Sequence, residues 1–397
     1  MSIEQLFTGI GIVIDDMVYA DNDIADRIVP IVKELEEKSH FPLIKYDHIP
    51  SIDTVSHFSN ASFLIIDWEI NPIKGQLGDF SSDFHPGDFW KKENTKAIID
   101  LIKKVIEYSY MPIFVFSNHD KATIAENLKN NDVNLDKCPV FVESKSVLNP
   151  GHIFERITTW VDSVSGVYVA KAWEMALSKA KNQFFMEMAN NSSHWPKVLY
   201  NTALVDSVSP SVEITHAISQ NIFSRMSPIE ITEEQIKKDT STHNKEEVLS
   251  IMRGQFFMET KSNESLVGDF YKWKSGEFYM NIRPTCDCVK DRPNNDGKVY
   301  LLRCCKLSEN KAKTEYYDNG HFKESVDCAI VGPLYKNNYY RINFSAIKVE
   351  EVVNCYEKKV GRILPPIINH ITERYGLYVQ RQALPRIPEE IFQEPIA

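Results

Sequence analysis

The chain has 397 residues, 43% hydrophobic and 25% charged, the balance of an ordinary soluble protein with enough length for two or three cores of roughly 100 to 200 residues each. No stretch approaches the ~20 apolar residues that span a bilayer, and the opening MSIEQLFTG has no basic region ahead of an apolar signal core, so a cytoplasmic protein with no membrane contact is expected. The net charge of −10 falls entirely in residues 1–150, where 14 Lys and Arg face 24 Asp and Glu; this argues against a nucleic-acid surface there, and the balanced remainder leaves nucleic-acid binding unsupported.

In chain order, the first 150 residues alternate strand-like and helix-like segments. GIGIVIDD (9–16) reads as a strand ending in acid, 21–39 as a helix by its apolar period, and FPLIKYDHI as a second strand. SFLIIDWEI (62–70) is a strand buried on both faces, because no polar residue alternates with Phe63, Leu64, Ile65 and Ile66. A Gly-, Pro- and Asp-rich loop to residue 94 follows, with Phe80, Phe84, Phe89 and Trp90 as docking aromatics. Then come an amphipathic helix at 95–109, the strand MPIFVFS (111–117), the helix KATIAENLKN and a fifth strand in CPVFVESKS (138–146). Such alternation is the signature of a parallel, doubly wound sheet.

From Gly151 the pattern turns helical, with prolines 196, 210 and 228 separating shorter helices before a last one near 244–260. After about residue 265 the chain is β-like: GDFYKW, GEFYMNIRP, KVYLLRCCKL, SVDCAIVGPLY and NYYRINFSAI. Residues 361–383 return to helix. The expected fold is α/β, with a five-stranded parallel domain over 1–155, a helical connector and dimerisation region over 156–262, and a β-rich effector or interaction domain over 263–397 closed by a helix.

Polar groups recur where the strands end: Asp15 and Asp16, Asp67, Ser117, and Lys145. In a parallel sheet these would gather at one edge. Crowded carboxylates repel unless a cation lies among them, and Mg²⁺ favours oxygen ligands, water and phosphate oxygens. Asp67 could then act as a nucleophile toward a phosphoryl group, with Lys145 and the Ser117 hydroxyl holding its oxygens. The same carboxylates could instead serve a Mg²⁺-dependent phosphohydrolase or nuclease, although no histidine or extra acid stands out as a general base.

The order IVIDD, LIIDWE, FVFSN, FVESK resembles the receiver domain of bacterial two-component response regulators, a flavodoxin-like fold, over roughly residues 8–160. The resemblance implies that Asp15 and Asp16 hold Mg²⁺ with Asp67 and the backbone carbonyl of Glu69. It also implies that Asp67 is the phosphoacceptor, Ser117 the switch hydroxyl, Lys145 the phosphate-sensing lysine, and a histidine-kinase-type ATPase the partner. Ser146 stands where receivers usually carry proline, and Val142 where they carry an aromatic residue. These departures leave open an interaction module that works without phosphorylation.

Seven cysteines, five of them between Cys286 and Cys328, do not form a disulfide scaffold pattern. Cys286, Cys288, Cys304, Cys305 and Cys328 raise zinc, but not at the usual C-x₂₋₄-C spacing, and free buried cysteines are the preferred reading. A Cys286 nucleophile with a His321 base is conceivable from residue type alone. The segment 265–390 resembles an uncharacterised tail in proteins of bacterial anti-phage defence islands, through Pro284, Cys286, Asp287, Arg362, Pro365, Arg374, Arg381, Pro385 and Pro388. That likeness implies no defined activity, and places the chain's role as a phosphorylation-switched regulator in anti-phage defence among the expectations.

Overall fold

The computed structural model describes residues 6–20, 28–38, 40–70, 88–146, 148, 152–288, 296–323, 325–381 and 388–392. It divides into two compact units, Met1–Ser193 with Ile218–Ser241, and His194–Ala217 with Thr242–Ala397.

The first unit is built on five short strands: β1 (Gly11–Ile14), β2 (Leu43–Tyr46), β3 (Phe63–Asp67), β4 (Ile113–Ser117) and β5 (Val140–Ser144). All pair in parallel, in the order β2-β1-β3-β4-β5. This is one of the common doubly wound orders, and it reverses direction between β1 and β3, where such sheets open a crevice at their carboxyl ends. The five-stranded α/β sheet expected from the sequence is therefore present.

Side chains alternate between the two faces with the strand period of two. Val13, Phe63, Ile65, Phe114 and Phe116 join one core with Ile28, Ile31 and Val32 of helix α1 (Ile28–Lys33). Ile12, Ile14, Leu64, Ile66, Ile113 and Val115 join the other, against Ile98, Leu101, Ile102 and Val105 of α2 (Asp88–Tyr108) and Ile124 and Leu128 of α3 (Lys121–Asn130). With helices on both faces, each central strand is apolar throughout, and burying each such side chain contributes about 1.5–3 kcal/mol. The α3 start is fixed by Asp120, whose carboxylate accepts the Thr123 N–H at 3.0 Å.

Two further helices, α4 (Ile153–Ser163) and α5 (Ser165–Asn191), complete this unit's first face through Ile153, Ile157, Val161, Val167, Tyr168 and Ala172. Buried Lys171 of α5 donates to the Ser62 carbonyl at 3.2 Å, one residue before β3, and its Nζ also meets Glu174 at 2.5 Å. The Tyr168 hydroxyl donates to the Glu230 carbonyl, and Ser165 donates to Asp239 just beyond α8 (Glu233–Lys238). Between α5 and α8 in the chain come α6 (Trp195–Val205), whose residues belong to the second unit, and α7 (Pro210–Arg225), whose residues are divided between the two.

The second unit carries α9 (Lys245–Phe256) and a seven-stranded sheet in the order β12-β13-β9-β8-β7-β14-β6. Its strands are β6 (Phe257–Met258), β7 (Asp269–Lys272), β8 (Phe278–Asn281), β9 (Lys298–Leu307), β12 (Cys328–Val331), β13 (Tyr339–Glu351) and β14 (Lys359–Ile363). A separate two-stranded hairpin pairs β10 (Tyr317–Asp318) with β11 (His321–Phe322). The pairings of the large sheet are antiparallel, and α10 (Ile367–Gln380) packs Ile368 and Ile371 into its core. Fully buried Asp269 ties β7 to β14, taking Lys359 Nζ at 2.7 Å and Arg362 Nε at 2.6 Å. Buried groups of this kind persist because each charge keeps an opposite partner.

Two local expectations change. Helix α2 begins at Asp88, not near residue 95, so Phe89 and Trp90 belong to its first turn; Phe80 and Phe84 lie outside the described residues. Residues 361–363 close a strand before α10 begins, since two consecutive prolines, Pro365 and Pro366, deny the helix an earlier start. Thr285–Cys288, beyond the strand-like segment that ends at Pro284, form a tight 3₁₀ turn.

Gly11 lies where β1 runs between β2 and β3, and a Cβ there would overlap the Phe63 ring and Leu43. Gly11→Ala is expected to destabilise the fold by about 1–3 kcal/mol, read as a lower urea midpoint with an unchanged slope.

Candidate metal and phosphoryl site

Asp15 follows the last residue of β1, and Asp67 ends β3; the register pairs Ile14 with Ile66, so the two aspartates emerge side by side. Asp15 is fully buried, Asp67 is 6% exposed and Asp16 is half-buried. Their carboxylates offer oxygens that all lie within 4.8 Å of one another, a grouping that could hold a metal ion. Asp15 is held by the Met17 N–H at 2.8 Å and Asp67 by the Glu69 N–H at 3.2 Å. Each carboxylate thus caps the turn that follows its own strand.

Lys145 closes the cluster. It lies just beyond β5, its backbone N–H donates to the Ser117 carbonyl at 2.7 Å, and its side chain is fully buried. Its Nζ reaches Asp15 Oδ2 at 2.8 Å and Asp67 Oδ2 at 2.9 Å. Burial pulls the lysine toward neutrality, but the two carboxylates outweigh it and lift its pKa above the ordinary value. For Asp67 burial is the larger effect; with the repulsion of Asp15 it overcomes Lys145 and pushes the carboxyl up to about 7. Three carboxylates clustered around the Lys145 ammonium form an oxygen-only donor set of the kind that suits a divalent cation.

Ser117 ends β4 one residue beyond Phe116, the register partner of Asp67, and is fully buried. Its hydroxyl accepts the His119 N–H at 3.1 Å. The side chain of Glu69 contacts the His119 ring, both about half exposed. His119 is the residue that sequence reading passed over. Its motif, SNHD, reads only as a turn, and its nearness to Glu69 arises because β3 and β4 are neighbours.

The C-terminal candidates fare differently. Among the described residues the aspartate triad is the only grouping of three or more His, Cys, Asp or Glu that could hold a metal. Cys288 and Cys304 are buried and their thiols are pushed up by burial, while Cys305 shares a 3.4 Å contact with Asn343. The Cys286 side chain and Pro385 lie outside the described residues. Arg362 pairs with Asp269, Arg374 donates to the Ser325 carbonyl, and Arg381 stacks on Tyr378 at 4.4 Å. No described helix is long and apolar enough to cross a membrane.

Two outcomes follow from the cluster's electrostatics. A carboxyl with a raised folded pKa favours its neutral form, so without metal this group's contribution to stability is full below about pH 4 and is lost as pH rises through about 7. Because a cation needs the ionised form, Mg²⁺ affinity measured by calorimetry is expected to rise about tenfold from about pH 6 to about pH 8, with proton release. Lys145→Met removes the ammonium that contacts two buried carboxylates and is expected to cost about 3–5 kcal/mol in metal-free buffer. Millimolar Mg²⁺ should raise the melting temperature of this variant more than that of the unaltered protein.

Comparison of the chain with known protein families finds no match, and a search of curated proteins returns none either. The five-stranded all-parallel sheet with its acidic cluster at the carboxyl edge is compatible with a receiver-like fold, and its buried aspartates could bind a metal ion.

Proposed function

We propose that this edge is a phosphoryl-accepting switch in a signalling protein. The observation that supports it most is the ion pairing of fully buried Lys145 with both Asp15 and Asp67. A lysine buried only for stability needs one carboxylate; here three are clustered, and their oxygen-only donor set suits Mg²⁺. When bound, Mg²⁺ would neutralise charge on the transferring phosphoryl group and restrain the attacking carboxylate.

Asp15, Asp16, Asp67 and the Glu69 carbonyl would hold the ion. An oxygen of ionised Asp67 attacks phosphorus in line as the bond to the donor, a phosphohistidine on a kinase-type ATPase, breaks. Lys145 then exchanges its Asp67 contact for a phosphoryl oxygen while keeping Asp15, and the Ser117 hydroxyl turns from His119 to donate to another. The aspartyl phosphate adds about 1.5 to 2 negative charges at the mouth of the crevice, by analogy with other phosphorylated side chains, and draws the loops after β4 and β5 inward. The effector is the β-rich second unit, and anti-phage defence is the setting suggested by the sequence of its tail.

A second reading is favoured by His119 beside Glu69: the pair could serve as a base for Mg²⁺-dependent ester hydrolysis. The readings separate by one titration. Mg²⁺-dependent binding of beryllofluoride, followed through buried Trp68 next to Asp67, is expected to saturate in the unaltered protein and vanish in Asp67→Asn. Turnover of a phosphomonoester or phosphodiester panel that is lost in both Asp67→Asn and His119→Ala would support hydrolysis instead. Absence of beryllofluoride binding in the unaltered protein would end the phosphoacceptor reading.

A further inference from the structure

The second unit contains a groove of about 940 Å³ that plays no part in the site above. Residues 328–332 all line it in succession. Successive residues of a strand point to opposite faces, so a cavity touching every one of them runs along the strand's edge and not over one face. That strand, β12, is last in the seven-stranded order, with β13 on its inner side and no strand of the described residues on its outer side.

The register shows which backbone groups face outward. Phe344 N–H donates to the Asp327 carbonyl, and the pairing continues through Ala329 with Ile342 and Val331 with Tyr340. Ladder bonds to β13 therefore alternate on 327, 329 and 331, which turns the N–H and C=O of Cys328 and Ile330 to the outer edge. Cys328 is bridged there to Ser325. Ile330 has no such bridge among the described residues, and it lies at the middle of the groove wall.

The rest of the lining says what would cover it. Phe322 and Tyr317 of the β10-β11 hairpin form one wall, and Phe256 of α9 with Ile367 at the start of α10 forms another. Lys313 and Lys323 are exposed at the rim and make no ion pair among the described residues. The acid on the lining, Glu309, is already taken by Lys245 at 2.5 Å. Among the described residues, the groove thus offers a strand edge with no further strand on it, apolar walls, and two exposed lysines with no ion pair. Its volume is at the top of the range for small-ligand pockets, about 300–1,000 Å³, and a free strand edge has no use for a compact ligand.

We propose that this groove takes an extended acidic segment of a partner protein, added to β12 as an eighth strand through the backbone of Ile330. Alternate apolar side chains of the segment enter between the hairpin and α10, and its carboxylates meet Lys313 and Lys323. The proposal does not depend on phosphoryl transfer at Asp67.

The test uses the full chain and three labelled hexapeptides: blocked alternating Glu-Val, the same sequence with Lys for Glu, and the Glu-Val peptide N-methylated at every residue, so that neither of its edges can donate. Fluorescence anisotropy is expected to show saturable binding of the acidic peptide and at least about tenfold weaker binding of the other two, since one has the wrong charge and the other cannot add as a strand. Lys313→Glu with Lys323→Glu, both at exposed positions, should weaken the acidic peptide by about tenfold or more and leave the melting temperature unchanged. Slowed hydrogen exchange at the Ile330 amide on addition of the acidic peptide would locate the strand. Equal binding of the acidic and basic peptides, undiminished binding of the N-methylated one, or no binding of the acidic one would overturn the proposal.

Discussion

One buried ammonium organises the first unit. Lys145 reaches from the end of β5 to Asp15 at the end of β1 and Asp67 at the end of β3, so three of the five strands converge on a single charge. Positioning such a charge requires that the strands be parallel and in register, because only then do their ends share an edge. The apolar residues of those strands supply the free energy that makes this arrangement tolerable: two complete cores, one on each face, offset the cost of holding carboxylates out of water. Stability comes from the faces of the sheet, and the charged cluster sits at its edge.

How much of this could be read in advance depends on the range of the forces involved. Central strands were legible because burial on both faces leaves an unbroken apolar run such as Phe63 to Ile66, and the aspartates were legible because each terminates such a run. Lys145 and Ser117 could be placed at the same edge once the sheet was taken as parallel. The mutual contacts of Lys145 were not legible, since a lysine that pairs with residues 130 and 78 positions away has no local signature. His119 was missed for the same reason.

Failures in the second half have local causes. The pair Pro365-Pro366 separates a strand from a helix that share apolar spacing, so the periodic signal runs through a boundary it cannot see. In PTCDC the proline and the short polar residues favour a turn, and a 3₁₀ turn is found there. Neither the Asp269–Lys359–Arg362 cluster nor the exposed edge of β12 has any counterpart in composition, because sheet order is set by packing among segments that lie far apart in the chain.

The covering of both sheet faces has a steric corollary. Among the described residues, helices pack on both faces of the sheet that carries Asp67, and its side chain shows only 8% of its surface. Under the proposed phosphoryl transfer, a donor to Asp67 would approach along the strand axes, where slender carriers and small free anions meet less obstruction than a globular donor that does not hold its reactive group out on a stalk.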